Sequence, residues 1–277
     1  METLKYLILG IVQGITEVLP ISSSGHVEIT KYIFSIDFAN NILFLIIVNT
    51  GSLVTFIFIY RKRLMQLFKA FFIYLFKKNQ REEQKSDFIY ILKILVAIIP
   101  AALIGVLFED SINRALCNHG LLMVGVGLLL TATVLFYISR REPFQSKKNK
   151  LSWTDIILIG LAQSVALTPG VSRSGMTSST ALKRGSSIDA ALDFSFIIYI
   201  PVSLGSILLM FVGIMKGDQV DFHANQLGYY FFAFIGALVA TYFAYKLIFN
   251  IFRSGKIKYF SYYCFGASIF ALMLYIF

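Results

Sequence analysis

The chain has 277 residues, of which 57% are hydrophobic and only 14% charged, with 27 phenylalanines spread along its length. That balance excludes a soluble globular domain and places the chain among helical integral membrane proteins. The formal charge of +10 does not indicate nucleic acid, because the positive residues sit mainly in connections between apolar runs.

The apolar runs are roughly twenty residues long, the length of a spanning helix, whereas barrel strands would alternate over about ten. The first element, Leu4 to Leu19, would make a helix about 24 Å long, short of a roughly 30 Å hydrocarbon core. It carries no small-residue cleavage site, so the N-terminus is expected to be retained. Gly10, Gln13, Gly14 and Glu17 fall on one of its faces. Pro20 breaks the helix, and the Ser22–Ser23–Ser24–Gly25 run supplies hydroxyls and a turn from which a second short helix starts.

Spans follow near Asn41 to Tyr60, Phe88 to Phe108 and Leu121 to Ser139. The stretch RLMQLFKAFFIYLFKK, flanked by charge, reads as a separate interfacial helix. Basic connections after Tyr60, after Ser139 and around Arg253 should face the cytoplasm, and the connections holding Glu109 and Asp218 should lie outside. In the second half a short segment around Gly160 to Thr177 precedes spans near Leu192 to Met215, Leu227 to Phe249 and Lys258 to Phe277. Trp153 reads as an interface anchor and Asp155 as a helix-start residue. Lys183 and Arg184 mark the return of the second short segment to the cytoplasmic side, and Asp189 and Asp193 a helix start. Cys117 and Cys264 are too far apart for a metal motif and form no disulfide framework.

GIVQGITEVLPISSSGHV at Gly10 and GLAQSVALTPGVSRSGMT at Gly160 align at a constant offset of 150, Ser22 meeting Ser172 and Gly25 meeting Gly175. The orientations assigned from charge make the halves, 1–150 and 151–277, run opposite ways. The expected fold is therefore an all-α polytopic membrane protein: an inverted-topology repeat with six spanning helices and two re-entrant helical hairpins in one membrane domain. Two broken segments meeting from opposite faces enclose a polar cavity, the setting that non-helical backbone requires at this depth.

Ionisable residues in such segments are functional by default. Arg173, amid Ser172, Ser174, Gly175 and helix-start amides, makes an anion site suited to phosphate. Glu17 and Gln13 offer oxygen ligands to a hard divalent cation, Mg²⁺ or Ca²⁺. A serine with His26 as base has the makings of a nucleophile, so phosphoryl transfer in the membrane is the expected chemistry. An inverted repeat is also transporter architecture, which makes a polyprenyl-phosphate flippase the alternative.

QGITE, PISSSGH and PGVSRSGMT, with NTGSL and DFSFIIYIP downstream of each, resemble the bacterial undecaprenyl-diphosphate phosphatase family, also called bacitracin-resistance proteins. The resemblance covers nearly the whole chain. It implies hydrolysis of undecaprenyl diphosphate to the monophosphate carrier lipid in the bacterial plasma membrane. It also implies that Ser23 is the candidate nucleophile, His26 its acid or base partner, and Ser22, Ser24, Gly25, Ser172, Arg173, Ser174, Gly175 and Thr177 the diphosphate-binding set. His26 or a metal-bound water stand as alternative attackers. Gln13 is neutral where many relatives have a second glutamate, which implies weaker metal binding. The segment carrying Glu17 and His26 enters from outside, so the site should open to the extracytoplasmic side. A homodimer is left open.

Overall fold

The computed structural model describes residues 2–36, 42–140, 148–215 and 226–277, and among them every named element is a helix. In chain order these are α1 (Glu2–Val18), α2 (Ser23–Ile33), α3 (Ile42–Phe76), a 3₁₀ turn at Lys78–Gln80, α4 (Arg81–Ser139), α5 (Trp153–Val165), α6 (Arg173–Lys183), α7 (Ile188–Met215), α8 (Leu227–Arg253) and α9 (Ile257–Ile276). Six stretches are long and apolar enough to cross a membrane: Leu43–Phe76, Lys78–Phe108, His119–Ser139, Ile188–Gly213, Leu227–Arg253 and Ile257–Ile276. The chain is a multi-pass membrane protein, because in lipid each such run can satisfy its backbone only as a helix.

The remaining four helices are short. With 17 residues α1 is about 26 Å long, and with 13 residues α5 is about 20 Å, both less than a bilayer core of roughly 30 Å. Their endings follow from sequence: Pro20 disfavours helical geometry at Leu19, and α1 stops at Val18. The chain restarts at Ser22, whose backbone has φ 72° and whose hydroxyl accepts a hydrogen bond from the Gly25 amide at 3.3 Å. In the second copy Gly170, at φ 84°, makes the turn, and the Ser172 hydroxyl accepts from the Gly175 amide at 3.1 Å.

Both short first helices lie close against spanning helices. A Cβ on Gly10 would sit 2.0 Å from the Ala233 carbonyl of α8, and one on Gly160 2.8 Å from the Ala97 carbonyl of α4, so small residues allow the approach. Hydroxyls bind neighbouring helices together: Ser52 of α3 meets Thr241 of α8 at 2.8 Å, and Thr241 donates to the Gly14 carbonyl at 3.2 Å. The two turns also touch each other reciprocally. A Cβ on Gly25 would lie 3.3 Å from Gly170 Cα, and one on Gly175 would lie 3.3 Å from the Pro20 carbonyl.

One expectation needs correction. The stretch Arg63 to Phe76 is no separate interfacial helix but the continuation of α3, which runs 35 residues, about 52 Å, without a break. No glycine, proline or capping residue interrupts the chain between Tyr60 and Phe76. The overhang packs on the start of α4 through Tyr74 stacked on Phe88 at 4.0 Å and Arg63 paired with Asp87 at 2.9 Å. The two spans of α4 join through further helix, bent at His119.

Asp155 caps α5 together with Ser152, as its position suggested. It also pairs with Lys148 and, at 2.9 Å, with Arg184 beyond the end of α6. Cys264 is a free, buried thiol. The side chains of Cys117 and Glu109, and the connection holding Asp218, lie outside the described residues.

Candidate functional site

The site grows from the last turn of α1. Gln13 and Glu17 are four apart on one face, and Gln13 Nε2 donates to Glu17 Oε2 at 2.7 Å. The same carboxylate oxygen accepts from Ser23 Oγ at 2.7 Å. The other, Oε1, pairs with Arg173 Nη2 at the start of α6. Glu17 is only 9% exposed, and two donors and a guanidinium take up its oxygens, the pairing that a buried carboxylate requires. The Arg173 guanidinium also lies over the Tyr199 ring of α7, 4.1 Å from its centroid.

These residues line a cavity of about 330 Å³. The residues proposed from sequence that reach its wall are Gln13, Glu17, Ser22, Ser23, Ser24, Ser172, Arg173 and Ser174. Here Ser23 opens α2 and Arg173 opens α6, so two helix N-termini bring positive dipole ends and unpaired amides to one space. The arrangement suits an anion with several oxygens.

Gly25, Gly175, Thr177 and His26 are not among the described residues on that wall. The two glycines form the crossing of the turns. Thr177 lies one turn into α6, donating to the Arg173 carbonyl at 2.9 Å, with Ser195 of α7 2.5 Å away. His26 points away from Glu17. Its Nδ1 is 2.7 Å from the Ser22 carbonyl and its Nε2 2.8 Å from the Tyr263 hydroxyl of α9, on whose ring it stacks. A carbonyl only accepts, so Nδ1 carries the proton and Nε2 accepts from Tyr263. Burial pushes the His26 pKa below its ordinary value. The carboxylate within hydrogen-bond reach of Ser23 is that of Glu17.

Three positions escaped the sequence reading. Tyr199 supports Arg173. Asn49 of α3 lines the cavity and accepts from the Tyr199 hydroxyl at 2.7 Å. Thr131 of α4 accepts from the Ser172 amide at 2.9 Å and donates to the Gly170 carbonyl at 3.2 Å, fixing the second turn. A signal existed for two of them: Asn49 and Tyr199 lie in NTGSL and DFSFIIYIP at the repeat offset of 150. A larger cavity, about 1060 Å³, lies between α3, α4 and α7 and is lined by Tyr60, Arg63, Lys93 and Asp193 among others. It holds none of the residues proposed for the chemistry.

By class this is a polytopic helical membrane protein with a buried carboxylate–guanidinium pair beside a serine hydroxyl. The family model described as bacitracin resistance protein BacA matches residues 6–270, and the chain belongs to this family. It is 42% identical over 260 residues to the undecaprenyl-diphosphatase of Oceanobacillus iheyensis, covering 94% of this chain and 92% of the relative. Undecaprenyl-diphosphatase 3 of Bacillus anthracis is 42% identical over 270 residues, covering 98% and 97%. The undecaprenyl-diphosphatase of Bacteroides thetaiotaomicron is 38% identical over 266 residues, covering 95% and 96%.

Proposed function

We propose that the protein removes the terminal phosphate of undecaprenyl diphosphate, releasing inorganic phosphate and the monophosphate carrier lipid used again in cell-wall synthesis, and so contributes to bacitracin resistance. The observation that carries this reading is that one buried carboxylate, Glu17, takes both the Ser23 hydroxyl and the Arg173 guanidinium. The relatives' names denote hydrolysis, and they favour this reading over a lipid flippase.

The steps follow from the residues. Arg173 and the amides at the starts of α2 and α6 hold the terminal phosphate, and the phosphate competes with Glu17 for the guanidinium. Glu17, relieved of part of that partner, accepts the Ser23 proton as Ser23 Oγ forms a bond to phosphorus. The P–O bond to the lipid-bearing phosphate breaks and its electrons leave with that oxygen. Glu17 gives the proton it took from Ser23 to the departing lipid phosphate, directly or through water. Water then attacks the phosphoserine as Glu17 takes its proton, and Glu17 returns that proton to Ser23 Oγ as the Oγ–phosphorus bond breaks and phosphate departs.

A divalent cation, Mg²⁺ or Ca²⁺, fits the donors on the wall. Glu17 gives a carboxylate, and Gln13 keeps its carbonyl oxygen after spending its NH₂ on Glu17. No group of three or more His, Cys, Asp or Glu suited to a metal occurs among the described residues. One carboxylate and one carbonyl suit a cation that takes its other ligands from substrate phosphates and water. When bound it would neutralise charge on the phosphate oxygens.

Contacts related by the offset of 150 support a duplicated, inverted fold with two re-entrant hairpins. Gly25 crosses Gly170 as Gly175 crosses Pro20, Asn49 meets Tyr199, and Gly10 sits on α8 as Gly160 sits on α4. The excess of Lys and Arg after Tyr60 and around Arg253 supports a cavity opening on the extracytoplasmic side. Labelling of a Leu45→Cys variant by an impermeant maleimide in intact spheroplasts tests that orientation.

For the reaction itself, purified protein in detergent with a polyprenyl diphosphate and Mg²⁺ should release phosphate. The Ser23→Ala variant should lose at least about a hundredfold in kcat while binding substrate. Turnover near that of the parent would remove Ser23 as nucleophile and leave water as the attacker.

A further inference from the structure

We infer that Asn49 is a phosphate-binding donor of this cavity, oriented for that task by Tyr199; the inference rests on the phosphatase reading and names a group that reading does not use. Among the described residues on the cavity wall Arg173 is the only cation and Glu17 the only acid, and they face one another. A terminal phosphate presents three oxygens, whereas a guanidinium fork meets two. The α3 side of the wall consists of Leu45, Ile46 and Asn49, so its one polar side chain is the carboxamide.

The orientation of that carboxamide is set from behind. Its Oδ1 accepts from the Tyr199 hydroxyl at 2.7 Å, and the same hydroxyl lies 3.3 Å from the Asn49 backbone carbonyl. In a planar amide the NH₂ stands on the edge opposite a committed oxygen, and Nδ2 has no acceptor among the described residues. Asn49 is partly exposed, whereas Tyr199 is 2% exposed and fixed by packing against Phe56. The same ring lies beneath the Arg173 guanidinium. One buried tyrosine thus holds two phosphate-binding groups, the cation with its face and the amide with its hydroxyl. A neutral donor suits the place, because it adds hydrogen bonds to phosphate without disturbing the balance between Glu17 and Arg173.

The test uses the full-length protein in detergent, a short-chain polyprenyl diphosphate for kinetics, and methylenediphosphonate as a non-hydrolysable competitor. Asn49→Asp keeps the acceptor for Tyr199, removes both N–H donors and places a negative charge toward phosphate. It should raise KM and the diphosphonate inhibition constant about tenfold or more, with an unchanged unfolding midpoint and a much smaller change in kcat. Asn49→Ser serves if the aspartate variant does not fold, and should show the same split. Tyr199→Phe keeps the ring and loses the hydroxyl, so it should raise KM by less. The double variant should be no worse than Asn49→Asp alone, which a purely structural tyrosine would not give.

Values within twofold of the parent for Asn49→Asp, or tighter binding by it, overturn the inference while leaving the phosphatase reading in place. A parent protein that neither releases phosphate nor binds the diphosphonate overturns both.

Discussion

The hairpin α1–α2 and the hairpin α5–α6 share a scaffold and differ in what they carry. Each turn ends in a serine cap, Ser22 or Ser172, closed onto the amide of Gly25 or Gly175. Each has a glutamine on its first helix. Gln13 spends its amide on Glu17, but Gln163 has Leu167 where that carboxylate would be, and its NH₂ reaches only the Ala97 carbonyl at 3.5 Å. At the first residue of the second helix, Ser23 faces Arg173 of the other copy across Glu17. The backbone turn is common to both and the charged side chains sit at single positions, so a carboxylate and a guanidinium can come from opposite hairpins without either being rebuilt.

The largest effect should come from breaking that division. Glu17→Ala removes the ion partner of Arg173 and the acceptor of Ser23, and phosphate release should fall by about 10²–10⁴-fold, the usual contribution of a positioned general base. Arg173→Ala should be comparable in activity, and it leaves a carboxylate buried without its cation, so its unfolding midpoint should fall as well. A sharper variant moves the acid across. Leu167 also lines the cavity, so Glu17→Leu with Leu167→Glu keeps the charge count. It should remain as inactive as Glu17→Ala, because Ser23 is still without its base. Recovery of phosphate release in the doubly substituted protein would show that the copies are interchangeable and overturn the division.

Much of this was readable from the residues. Pro20, the serine runs and the constant offset disclosed both turns, and Glu17 and Arg173 were conspicuous as charges in apolar segments. The reach of α3 past Tyr60 was only half legible: no breaker stands between Tyr60 and Phe76, but a separate helix at a membrane surface and a continuing one have the same local propensities. What decided between them was packing against α4, a contact distant in sequence. His26 shows the reach of distant contacts. It is three residues from Ser23, a spacing that puts two side chains on one side of a helix, but its imidazole is taken up by the Ser22 carbonyl and by Tyr263, 237 positions away. Asn49 and Tyr199 gave a signal in the repeat, but only their meeting across the structure gives it meaning.

A smaller difference separates the two hairpins in their packing. The space at Gly10 is tighter than at Gly160, since an added Cβ would sit 2.0 Å from backbone on α8 in one case and 2.8 Å from backbone on α4 in the other. Neither neighbour is a flexible side-chain end, so the helix must shift. Gly10→Ala should cost about 1–3 kcal/mol and Gly160→Ala less, as read by denaturant unfolding in detergent. The reverse order would mean that α1 slides on α8 more freely than α5 on α4. The activity lost should follow Gly10, because the displaced helix is the one that carries Glu17.

The smallest effect concerns one more position where the copies differ, His26 in α2 against Met176 in α6. A folded-state pKa held below the ordinary value of 6.5 means that the unfolded chain binds the extra proton first. The stability due to a neutral His26 is fully present above about pH 6.5 and is lost as pH falls from there through the folded value. The slope in that window should be at most about 1.4 kcal/mol per pH unit for one proton. In His26→Gln the slope should flatten, and phosphate release near neutral pH should drop less than tenfold, because the imidazole touches Tyr263 and the Ser22 carbonyl rather than the cavity. A loss as deep as that of Glu17→Ala would return His26 to the chemistry. Met176 makes the shallower outcome the expected one, since the second hairpin forms the same capped turn with a side chain that cannot titrate.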